Sequence, residues 1–469
     1  MGTDEFIKEF KGAKISGVAC LGGGPVGTCT MATMASRMPD VQFTVFDDNP
    51  TVVCGCQSGP LPFFEPGLEE LLEKVRGKNL SFTSSLEQAV SKSQVIFVSI
   101  NTPLKTSGTG GGRAPDLSGW DKMARRISKA SNGACKILVE CSPLPVTTGE
   151  TMRKVLAACG HPGTFEVLCL PSFHRGGNAI EDLSNTETKV LLGSQDTPAG
   201  NVARETISEL IRPWISGERI VHSNVWSAEI SKLAQNAFIA QRISSVNAVS
   251  MLCEKTGADL DEVMRVIGSD SRLGPGYLKS CAGMGGPVML NNLKMLIYLC
   301  ESLHLPDVAE YWTEVLRLNE YQSKRFCDNI VNTMVTAKGK KIAILGFAYK
   351  AGSSDVRESQ AIAICKSLLA EQCHLAIVDP QVSLETMMTS LDMSNPLMVE
   401  RCSNAMDALK GASACVLVTD WDEFKTLDWK AAAAIMEKPP YFFDSRDFVS
   451  VDHMKSLGFD VYSIGRARD

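Results

Sequence analysis

The stretch of sequence that decides the fold lies near the N-terminus, where residues 15–47 read ISGVACLGGGPVGTCTMATMASRMPDVQFTVFD. Its apolar periodicity predicts a strand at Ile15–Leu21, a helix at Thr28–Arg37 and a second strand at Gln42–Phe46. A glycine-rich turn joins the first strand to the helix, and the second strand ends at Asp47. This order of strand, glycine turn, helix, strand and acid is typical of a dinucleotide-binding α/β domain.

The glycine turn has the spacing GxGxxG. The first glycine permits a tight turn, the second lets the backbone approach a pyrophosphate, and the third lets the helix pack closely on the strand. The helix N-terminus also attracts anionic phosphates. The alternative is a turn that packs a helix on a strand and holds no ligand. The predicted cofactor contacts in this turn are Gly22, Gly24, Pro25, Val26 and Gly27.

Asp47 lies 20 residues after Gly27. A carboxylate at this distance can accept hydrogen bonds from both ribose hydroxyls of the adenosine. The same charge repels a 2′-phosphate. We therefore predict NAD as the cofactor, in preference to NADP.

More strands follow, and they predict a doubly wound parallel sheet. We expect strands at Val95–Ile100, Lys136–Val139 and Val167–Leu170. Ligands of such sheets bind at the carboxyl ends of the strands, which here carry Thr102 and Ser142. The loop between the first two of these strands, 106–113, is rich in Gly, Ser and Thr and is predicted to be a flexible lid.

The middle of the chain is helical, and the C-terminal third repeats the α/β pattern. A long, largely apolar helix is predicted from about Ser223 to Cys253, as a buried connecting helix. A glycine-rich stretch at 274–286 precedes further helices to Asn332. We therefore predict two doubly wound domains joined by helices. Their boundaries are 1–222 for the NAD-binding domain, 223–335 for the central helical region and 336–469 for the second Rossmann-like domain. The predicted elements of that second domain are strands at 340–345, 374–378, 414–418 and 441–443 and a helix at 360–371.

Composition excludes several classes of protein. The 469 residues carry a net charge of −6, which disfavours a nucleic-acid or membrane-surface binder because such surfaces are basic. The 16 cysteines form no CxxC pair, so no zinc site is predicted. We see no secretory signal and no apolar run long enough to cross a membrane. A reducing, cytoplasmic location is the expectation.

Several specific motifs resemble the UDP-glucose 6-dehydrogenase family over nearly the whole chain, and the animal enzymes in particular. The motifs are Phe64–Leu68 (FEPGL), Asn101–Pro103 (NTP), Ser231–Ala234 (SKLA), Lys341–Ala348 (KIAILGFA) and Arg357–Ser359 (RES). The resemblance implies an N-terminal NAD-binding domain, a central helix that forms a dimer and a C-terminal domain that binds UDP-sugar. It also implies a reaction, in which the sixth carbon of UDP-glucose is oxidised twice through a cysteine-bound intermediate.

Five positions that carry this chemistry in the family are altered here. Val288 stands at the position of the family's nucleophilic cysteine. A valine side chain has no lone pair and cannot form a covalent intermediate. Asn292 replaces the aspartate that handles protons in the family, and Pro143 replaces the threonine that holds a water molecule. Two glutamates are replaced by Ser172 and Gly176. The oxyanion-stabilising lysine is retained as Lys232, with Asn236 one helical turn later on the same face.

The residues that bind ligand in the family are better preserved. Those matching its UDP-sugar contacts are Lys232, Asn236, Arg272, Tyr277, Leu278, Lys279, Lys350 and Arg357. Two positions differ, because arginines of the family are replaced by Val52 near the adenosine and by Asp447 beside Arg446. The acid at 447 is expected to weaken the binding of a di-anionic ligand.

The favoured hypothesis is a catalytically inactive homologue that works as a scaffold, an oligomer partner or a nucleotide-binding subunit. It would form a homo-oligomer, a dimer or hexamer, or assemble with an active homologue. The alternative is an active NAD-dependent oxidation of UDP-glucose, to the aldehyde or to UDP-glucuronate, in a rerouted site. Cys281, His174 and Arg175 could serve that site. Their simpler roles are a packed thiol, a structural histidine and a surface arginine, and for Lys232 an ion pair on its helix.

Overall fold

The computed structural model describes residues 2–142, 145–159, 164–172, 174–185, 189–392 and 396–467. The chain forms two compact units. Unit 1 comprises Met1–Gln235 and Lys294–His304, and unit 2 comprises Asn236–Leu293 and Leu305–Asp469. No helix among the described residues is both long and apolar enough to span a membrane.

Unit 1 is built on a sheet in which we find eight strands among the described residues, in the order β3-β2-β1-β4-β5-β6-β7-β8. Neighbouring strands are parallel, except that β6 and β7 are antiparallel. The strands are β1 (Gly17–Leu21), β2 (Gln42–Phe46), β3 (Leu80–Thr83), β4 (Val95–Val98), β5 (Lys136–Glu140), β6 (Phe165–Cys169), β7 (Val190–Ser194) and β8 (Ile220–Asn224).

Helices cover both faces of this sheet, so its central strands are continuous apolar runs. Every residue of β1, β4 and β5 is buried, as expected of parallel strands packed on both sides. The helices are α1 (Gly2–Phe10), α2 (Pro25–Arg37), α3 (Pro50–Ser58), α4 (Leu68–Val75), α5 (Leu86–Ser91), α6 (Ser118–Ser131), α7 (Thr148–Cys159), α8 (Ala179–Ser184) and α9 (Pro198–Ile211). The long helix α10 (Val225–Thr256) begins in unit 1 and continues into unit 2.

Unit 2 contains a second parallel sheet, with the strand order β11-β10-β9-β12-β13-β14. Its strands are β9 (Lys341–Leu345), β10 (His374–Val378), β11 (Val399–Arg401), β12 (Ala414–Leu417), β13 (Tyr441–Asp444) and β14 (Asp460–Ser463). The remaining helices are α11 (Leu260–Ser269), α12 (Pro287–Ser302), α13 (Pro306–Thr333), α14 (Gln360–Ala370), α15 (Leu384–Ser390), α16 (Ala405–Leu409), α17 (Asp422–Lys425), α18 (Trp429–Ile435) and α19 (Val451–Ser456). Helix α12 is divided between the units after Leu293.

The predicted fold class, two doubly wound α/β sheets with helices between them in the chain, is confirmed. The prediction did not locate the helices α1, α3–α9 and α15–α19, and it missed five strands, namely β3, β7, β8, β11 and β14. The missed strands are short, and β3, β8 and β11 expose part of their residues, so they lack the continuous apolar run that marked the central strands. Helix α2 begins at Pro25 instead of Thr28, because proline fits the first turn of a helix.

One other expectation needs correction, and the flexibility of the predicted lid stays a prediction. Helix α10 is not buried all round, since Phe238 is 66% exposed and Leu252 is 65% exposed. The predicted lid, 106–113, forms a closed loop, in which Leu104 pairs with Pro115 and Gly112 donates to the Lys105 carbonyl at 2.7 Å. Arg113 also forms an ion pair with Glu301, which fixes the loop to α12.

Within unit 2, a largely buried ion pair joins α10 to α13. The Arg325 guanidinium donates to both carboxylate oxygens of Glu254, at 2.6 and 2.9 Å. Glu254 also accepts from the Gly465 amide at 2.9 Å. The side chains of Arg325 and Glu254 are only 17% and 10% exposed, so the loss of one partner leaves a charge that water solvates poorly.

We predict that Arg325→Met lowers the free energy of unfolding by about 2–4 kcal/mol, because Glu254 then lacks its counter-ion. The measurement is urea denaturation followed by circular dichroism. The matched control is Lys324→Met on the same helix. Lys324 pairs with Asp328 at 2.6 Å on the surface, and loss of a solvated pair changes stability little. Equal effects of the two substitutions would contradict a structural role for the buried pair.

Candidate functional site

The glycine turn of unit 1 lies where the strand order reverses, between β1 and β4. Gly22 follows β1 with a φ of +116°, a conformation that side chains rarely adopt. A Cβ atom on Gly22 would lie 2.2 Å from the Ser99 carbonyl oxygen, which follows β4. Only glycine therefore allows the two strand ends to close together at the point where doubly wound sheets bind ligands.

The second glycine of the turn faces open space. A Cβ atom on Gly24 would meet no protein atom within 4 Å, whereas one on Gly27 would lie 2.1 Å from the Gly22 oxygen. Gly27 therefore serves packing, and Gly24 leaves room at the N-terminus of α2. That space and the positive end of the helix dipole suit a pyrophosphate.

Asp47 stands beside this turn. Its Oδ2 accepts from the Gly23 amide and its Oδ1 from the Asn49 amide, both at 2.9 Å. Each carboxylate oxygen has a second lone pair for a ribose hydroxyl. Val52 lies against the same turn, because its Cγ1 is 3.0 Å from where a Cβ of Gly23 would stand. The residues present therefore fit the adenosine half of NAD.

The remaining predicted cofactor contacts follow β4 and β5. Thr102 lies in the loop after β4. Ser142 follows β5, and its hydroxyl donates to the Ile100 carbonyl at 2.8 Å, which ties the two loops together. Pro143, the next predicted site residue, lies outside the described residues.

The loop after β6 holds two of the altered positions. The Ser172 hydroxyl is 2.7 Å from Nδ1 of His174. Arg175 donates to both carboxylate oxygens of Asp182, at 3.0 and 2.6 Å. Its guanidinium is thus engaged in an ion pair, which weakens its suggested role as a clamp for an anionic substrate.

Gly176 stands in the same loop at the position of the second lost glutamate, and the loop is anchored beside it. The carboxylate of Glu65, from the FEPGL motif, accepts from the amides of Gly177 at 2.8 Å and Ala179 at 2.6 Å. Glu65 is itself buried. Gly176 and Gly177 therefore lie in a segment that a buried carboxylate holds in place.

Lys232 is buried in α10. Burial lowers the pKa of its ammonium to about 8. Burial, together with the charge of Lys232, lowers the pKa of His174 to about 4. At neutral pH the imidazole is therefore uncharged, while the amine needs only a modest rise in pH to act as a base.

Sequence reasoning missed a pair of buried acids, one on α10 and one at the end of β5. Glu229, one turn before Lys232, accepts from the Thr147 and Gly149 amides at 2.8 Å each, at the start of α7. Glu140 ends β5, is 1% exposed, and has no hydrogen-bond partner for either carboxylate oxygen among the described residues. Burial and the nearby Glu229 raise the pKa of Glu140 well above its usual value. The only signal in the sequence was their position, at a strand end and beside the SKLA motif.

In unit 2 the glycine-rich loop before α12 is held by polar contacts to its backbone. The Met284 amide donates to the Asn319 side chain at 2.6 Å, and the Gln360 side chain donates to the Met284 carbonyl at 2.6 Å. The Gly286 amide donates to the Glu358 carbonyl at 3.2 Å. The loop thereby lies against the segment 349–360, which carries Lys350 and Arg357.

The altered catalytic positions of unit 2 follow this loop. Val288 lies in the first turn of α12, and its side chain is 49% exposed. Asn292, one turn later, is fully buried, and neither its amide nitrogen nor its oxygen has a hydrogen-bond partner in the described part of the chain. The Nδ2 of Asn236 likewise has none there. Buried polar atoms without protein partners are typical of sites that hold water or a ligand.

The predicted UDP-sugar contacts of unit 2 lie mostly at its surface. Tyr277 is 46% exposed and has a φ of +58°. Arg272 is exposed and pairs with Asp270 at 2.6 Å. Arg357 pairs with Asp355 at 2.6 Å. Leu278 packs instead against the apolar cluster around Val246 and Met264, so its side chain serves to anchor the loop.

Cys281 is buried in the same loop. Its amide donates to the Asn247 side chain at 3.0 Å, and Asn247 in turn lies 3.8 Å from the thiol sulfur. The Gln322 side chain also donates to the Cys281 carbonyl at 3.1 Å. These contacts fit a packed thiol and disfavour a nucleophile, which must reach its substrate.

Family comparison agrees with this division into binding regions. Residues 16–215 match the NAD binding domain of the UDP-glucose/GDP-mannose dehydrogenase family. Residues 226–321 match its central domain, and residues 343–451 match its UDP binding domain. The glycine turn and Asp47 fall within the first match, and Lys350 and Arg357 fall within the third.

Individual relatives agree over the full length. UDP-glucose 6-dehydrogenase 1 of Glycine max is 42% identical over 469 residues, which cover 96% of this chain and 97% of that protein. UDP-glucose 6-dehydrogenase 4 of Arabidopsis thaliana is also 42% identical with the same coverage. The structure of a UDP-glucose dehydrogenase from Pyrobaculum islandicum superposes with a TM-score of 0.84 at 24% identity, over 97% of this chain and 99% of that one. The chain therefore belongs to the UDP-glucose/GDP-mannose dehydrogenase family.

Proposed function

We propose that this chain is a family member that has lost the double oxidation and retains nucleotide binding, acting as a subunit of an oligomer. The observation that carries the proposal is Val288, an exposed alkyl side chain where the resemblance places the nucleophilic cysteine. An alkyl side chain cannot form the thioester through which the family oxidises the aldehyde to the acid. The affinity to the animal enzymes and the three domain boundaries, 1–222, 223–335 and 336–469, remain predictions, as does a cytoplasmic location.

The other altered positions support the same conclusion. Asn292 is an amide that cannot act as a general acid or base at physiological pH, and Ser172 is engaged with His174. Gly176 has no side chain at all. Removing one acid or base typically costs about 10²–10⁴ in rate, and here Pro143 adds a further loss. A single restored group therefore leaves the proton path incomplete.

The binding side of the site supports retention of ligands. In unit 1, Asp47 and the α2 N-terminus suit the adenosine and pyrophosphate of NAD, whose nicotinamide supplies hydride acceptance when it is bound. In unit 2, Lys350 and Arg357 place positive charge beside the glycine-rich loop, where a diphosphate would be held.

We expect purified protein to form no NADH from UDP-glucose and NAD, while each ligand raises its melting temperature by mass action. Absorbance at 340 nm and differential scanning fluorimetry on one preparation measure the two quantities. The matched control is Gly24→Val. Its side chain meets no protein atom within 4 Å of the Cβ, so the fold should persist while NAD loses its place.

Two outcomes would contradict the proposal. One is UDP-glucuronate made by this polypeptide alone, and the other is a NAD-induced shift of equal size in the Gly24→Val variant. Val288→Cys should not restore acid formation, since the other altered positions remain. If that single substitution restored it, the losses at Ser172, Gly176 and Asn292 would matter less than we infer.

A second function is favoured by one observation. Oxidation of UDP-glucose to the aldehyde needs only hydride transfer and one base, and burial lowers the pKa of Lys232 to about 8. His174 is a poorer base, because its pKa is lowered to about 4. Lys232 is therefore the group in this chain best suited to accept the hydroxyl proton.

If this oxidation occurs, its rate should rise with pH through about 8, as the amine of Lys232 loses its proton. Lys232→Met should lower kcat by about 10²–10⁴, measured as NADH formation with hydrazine to trap the aldehyde. Lys255→Met, at the exposed end of the same helix, is the control and should leave kcat unchanged. Activity that survives in the Lys232 variant would exclude lysine as the base, and activity lost on Cys281→Ser would point to the thiol.

We also propose that the subunit assembles with a second copy of itself through unit 2. Phe238 on α10 is 66% exposed and packs edge to face on Trp312 of α13, with 6.1 Å between the ring centroids. Tyr311 is 52% exposed and packs on the same indole, with 4.8 Å between the ring centroids. Aromatic side chains grouped on one surface are enriched at interfaces and are costly to leave in water.

Phe238→Glu is predicted to shift the protein toward the monomer, since it places a charge within the aromatic group. Sedimentation velocity gives the mass of the particle. Val266→Glu serves as control, because Val266 is 73% exposed on α11 and takes no part in these ring contacts. A monomeric wild type, or a dimer that Phe238→Glu leaves unchanged, would refute this interface. Sedimentation of a mixture with an active homologue tests hetero-assembly.

A further inference from the structure

Two buried acids of unit 1 meet at the start of α7. Glu140 at the end of β5 and Glu229 on α10 are both almost completely shielded from water. A Cβ atom on Gly149, in the first turn of α7, would lie 3.4 Å from Oε2 of Glu140 and 3.3 Å from Oε1 of Glu229. The two carboxyl groups therefore approach the same point of the backbone from two different elements.

The two carboxyl groups differ in the hydrogen bonds that the fold offers them. Both oxygens of Glu229 accept from backbone amides, Oε2 from Thr147 and Oε1 from Gly149, at 2.8 Å each. Neither oxygen of Glu140 has a hydrogen-bond partner among the described residues. The two amides and the positive end of the α7 dipole favour an ionised Glu229. A charge on Glu140 would instead be buried without compensation.

Neither acid forms an ion pair with a cation in the part of the chain that the structure describes. The titratable groups that face Glu140 are Glu229, Cys141 directly after β5 and Cys169 on β6, and Glu229 also faces Glu150 on α7. Burial raises the pKa of both acids, and the two amides oppose this rise at Glu229 alone. Two buried negative charges at this separation repel each other strongly. The geometry therefore favours one proton on Glu140 and none on Glu229.

The same contacts hold a strained residue. Thr147 has a φ of +84°, which a β-branched residue rarely adopts. A conformation of this kind persists only where the surrounding contacts fix it, and the amide of Thr147 is bound by Glu229. Repulsion between two ionised acids would therefore act on a segment that depends on Glu229 for its conformation.

We propose that Glu140 and Glu229 form a proton-dependent latch, in which one proton on Glu140 allows ionised Glu229 to hold the start of α7 against β5 and α10. The neutral carboxyl of Glu140 gains an O–H donor, and each oxygen of Glu229 retains a lone pair that can accept a hydrogen bond. The latch concerns the stability of unit 1, so it does not depend on the proposed function.

The sign of the pH dependence follows from the raised pKa of Glu140. In an unfolded chain a glutamate releases its proton at about pH 4.3, whereas the folded chain keeps the proton of Glu140 to a higher pH. Folding therefore takes up one proton, and the contribution of Glu140 to stability falls as pH rises, until the folded carboxyl itself ionises. Glutamine imitates the neutral acid and has no proton to take up, so it removes this loss.

The test is thermal unfolding of the full chain, followed by circular dichroism at several values between pH 5 and pH 8. The melting temperature of Glu140→Gln, relative to wild type, should rise by about 3–5 °C for each pH unit, which is the slope of one proton. Glu229→Gln should lower the melting temperature throughout, because glutamine has a single carbonyl oxygen for two amides. The control is Glu209→Gln, at an exposed position of α9, whose offset from wild type should not change with pH.

Three outcomes would overturn the latch. A constant offset between Glu140→Gln and wild type would mean that Glu140 is ionised in the folded chain. A gain of stability with pH in Glu229→Gln would place the proton on the other acid. If Glu140→Gln does not fold, Glu140→Leu repeats the test, since a neutral acid without partners can be replaced by an alkyl side chain of similar size. Failure of both neutral variants to fold would contradict a neutral Glu140.

Infrared spectroscopy gives an independent measurement, because the carbonyl band of a protonated carboxyl is separate from the bands of a carboxylate. At pH 8 we expect wild type to show this band and the folded Glu140 variant to show less of it, whereas Glu209→Gln should match wild type. Equal bands in wild type and the Glu140 variant would exclude a proton on Glu140.

Discussion

The structure of the site in unit 2 depends on one set of contacts, those that hold the glycine-rich loop by its backbone. Asn319, Gln360, Glu358 and Ser445 bond the loop through its amides and carbonyls. None of these bonds involves the side chain at position 288. The loop can therefore keep its conformation whether that position carries a thiol or an alkyl group.

Unit 1 shows the same separation between shape and chemistry. Gly22 and Gly27 allow a close approach of backbone, and the Ser142 hydroxyl ties the loops after β4 and β5 together. Buried Glu65 and Glu229 hold the starts of α8 and α7 by accepting from backbone amides. Carboxylates thus remain abundant in this unit, but they are engaged in positioning backbone. The resemblance places Ser172 and Gly176 at two positions where the family carries glutamates.

The electrostatics of the two units differ in what they leave reactive. In unit 1, burial lowers the pKa values of Lys232 and His174. In unit 2, burial and the neighbouring Asp261 raise the pKa of Asp447 to about 6. Both effects depend on desolvation, because the same charges in water would be screened and would influence each other little.

The sequence by itself determined the fold class, because the glycine turn, Asp47 and the apolar strands are each recognised from residues that are close together in the chain. It also identified the positions of Val288 and Lys232, because each lies within a short contiguous motif that can be matched to the family. It could not reveal the engagement of Arg175 by Asp182, the anchoring of the loop at Gly177, or the buried acid Glu140, whose carboxylate has no hydrogen-bond partner in the part of the chain that the structure describes. Nor could it show that burial and Asp261 raise the pKa of Asp447. These features join residues far apart in the chain, so only tertiary structure decides which charges meet, which are shielded from water and which remain available to a ligand.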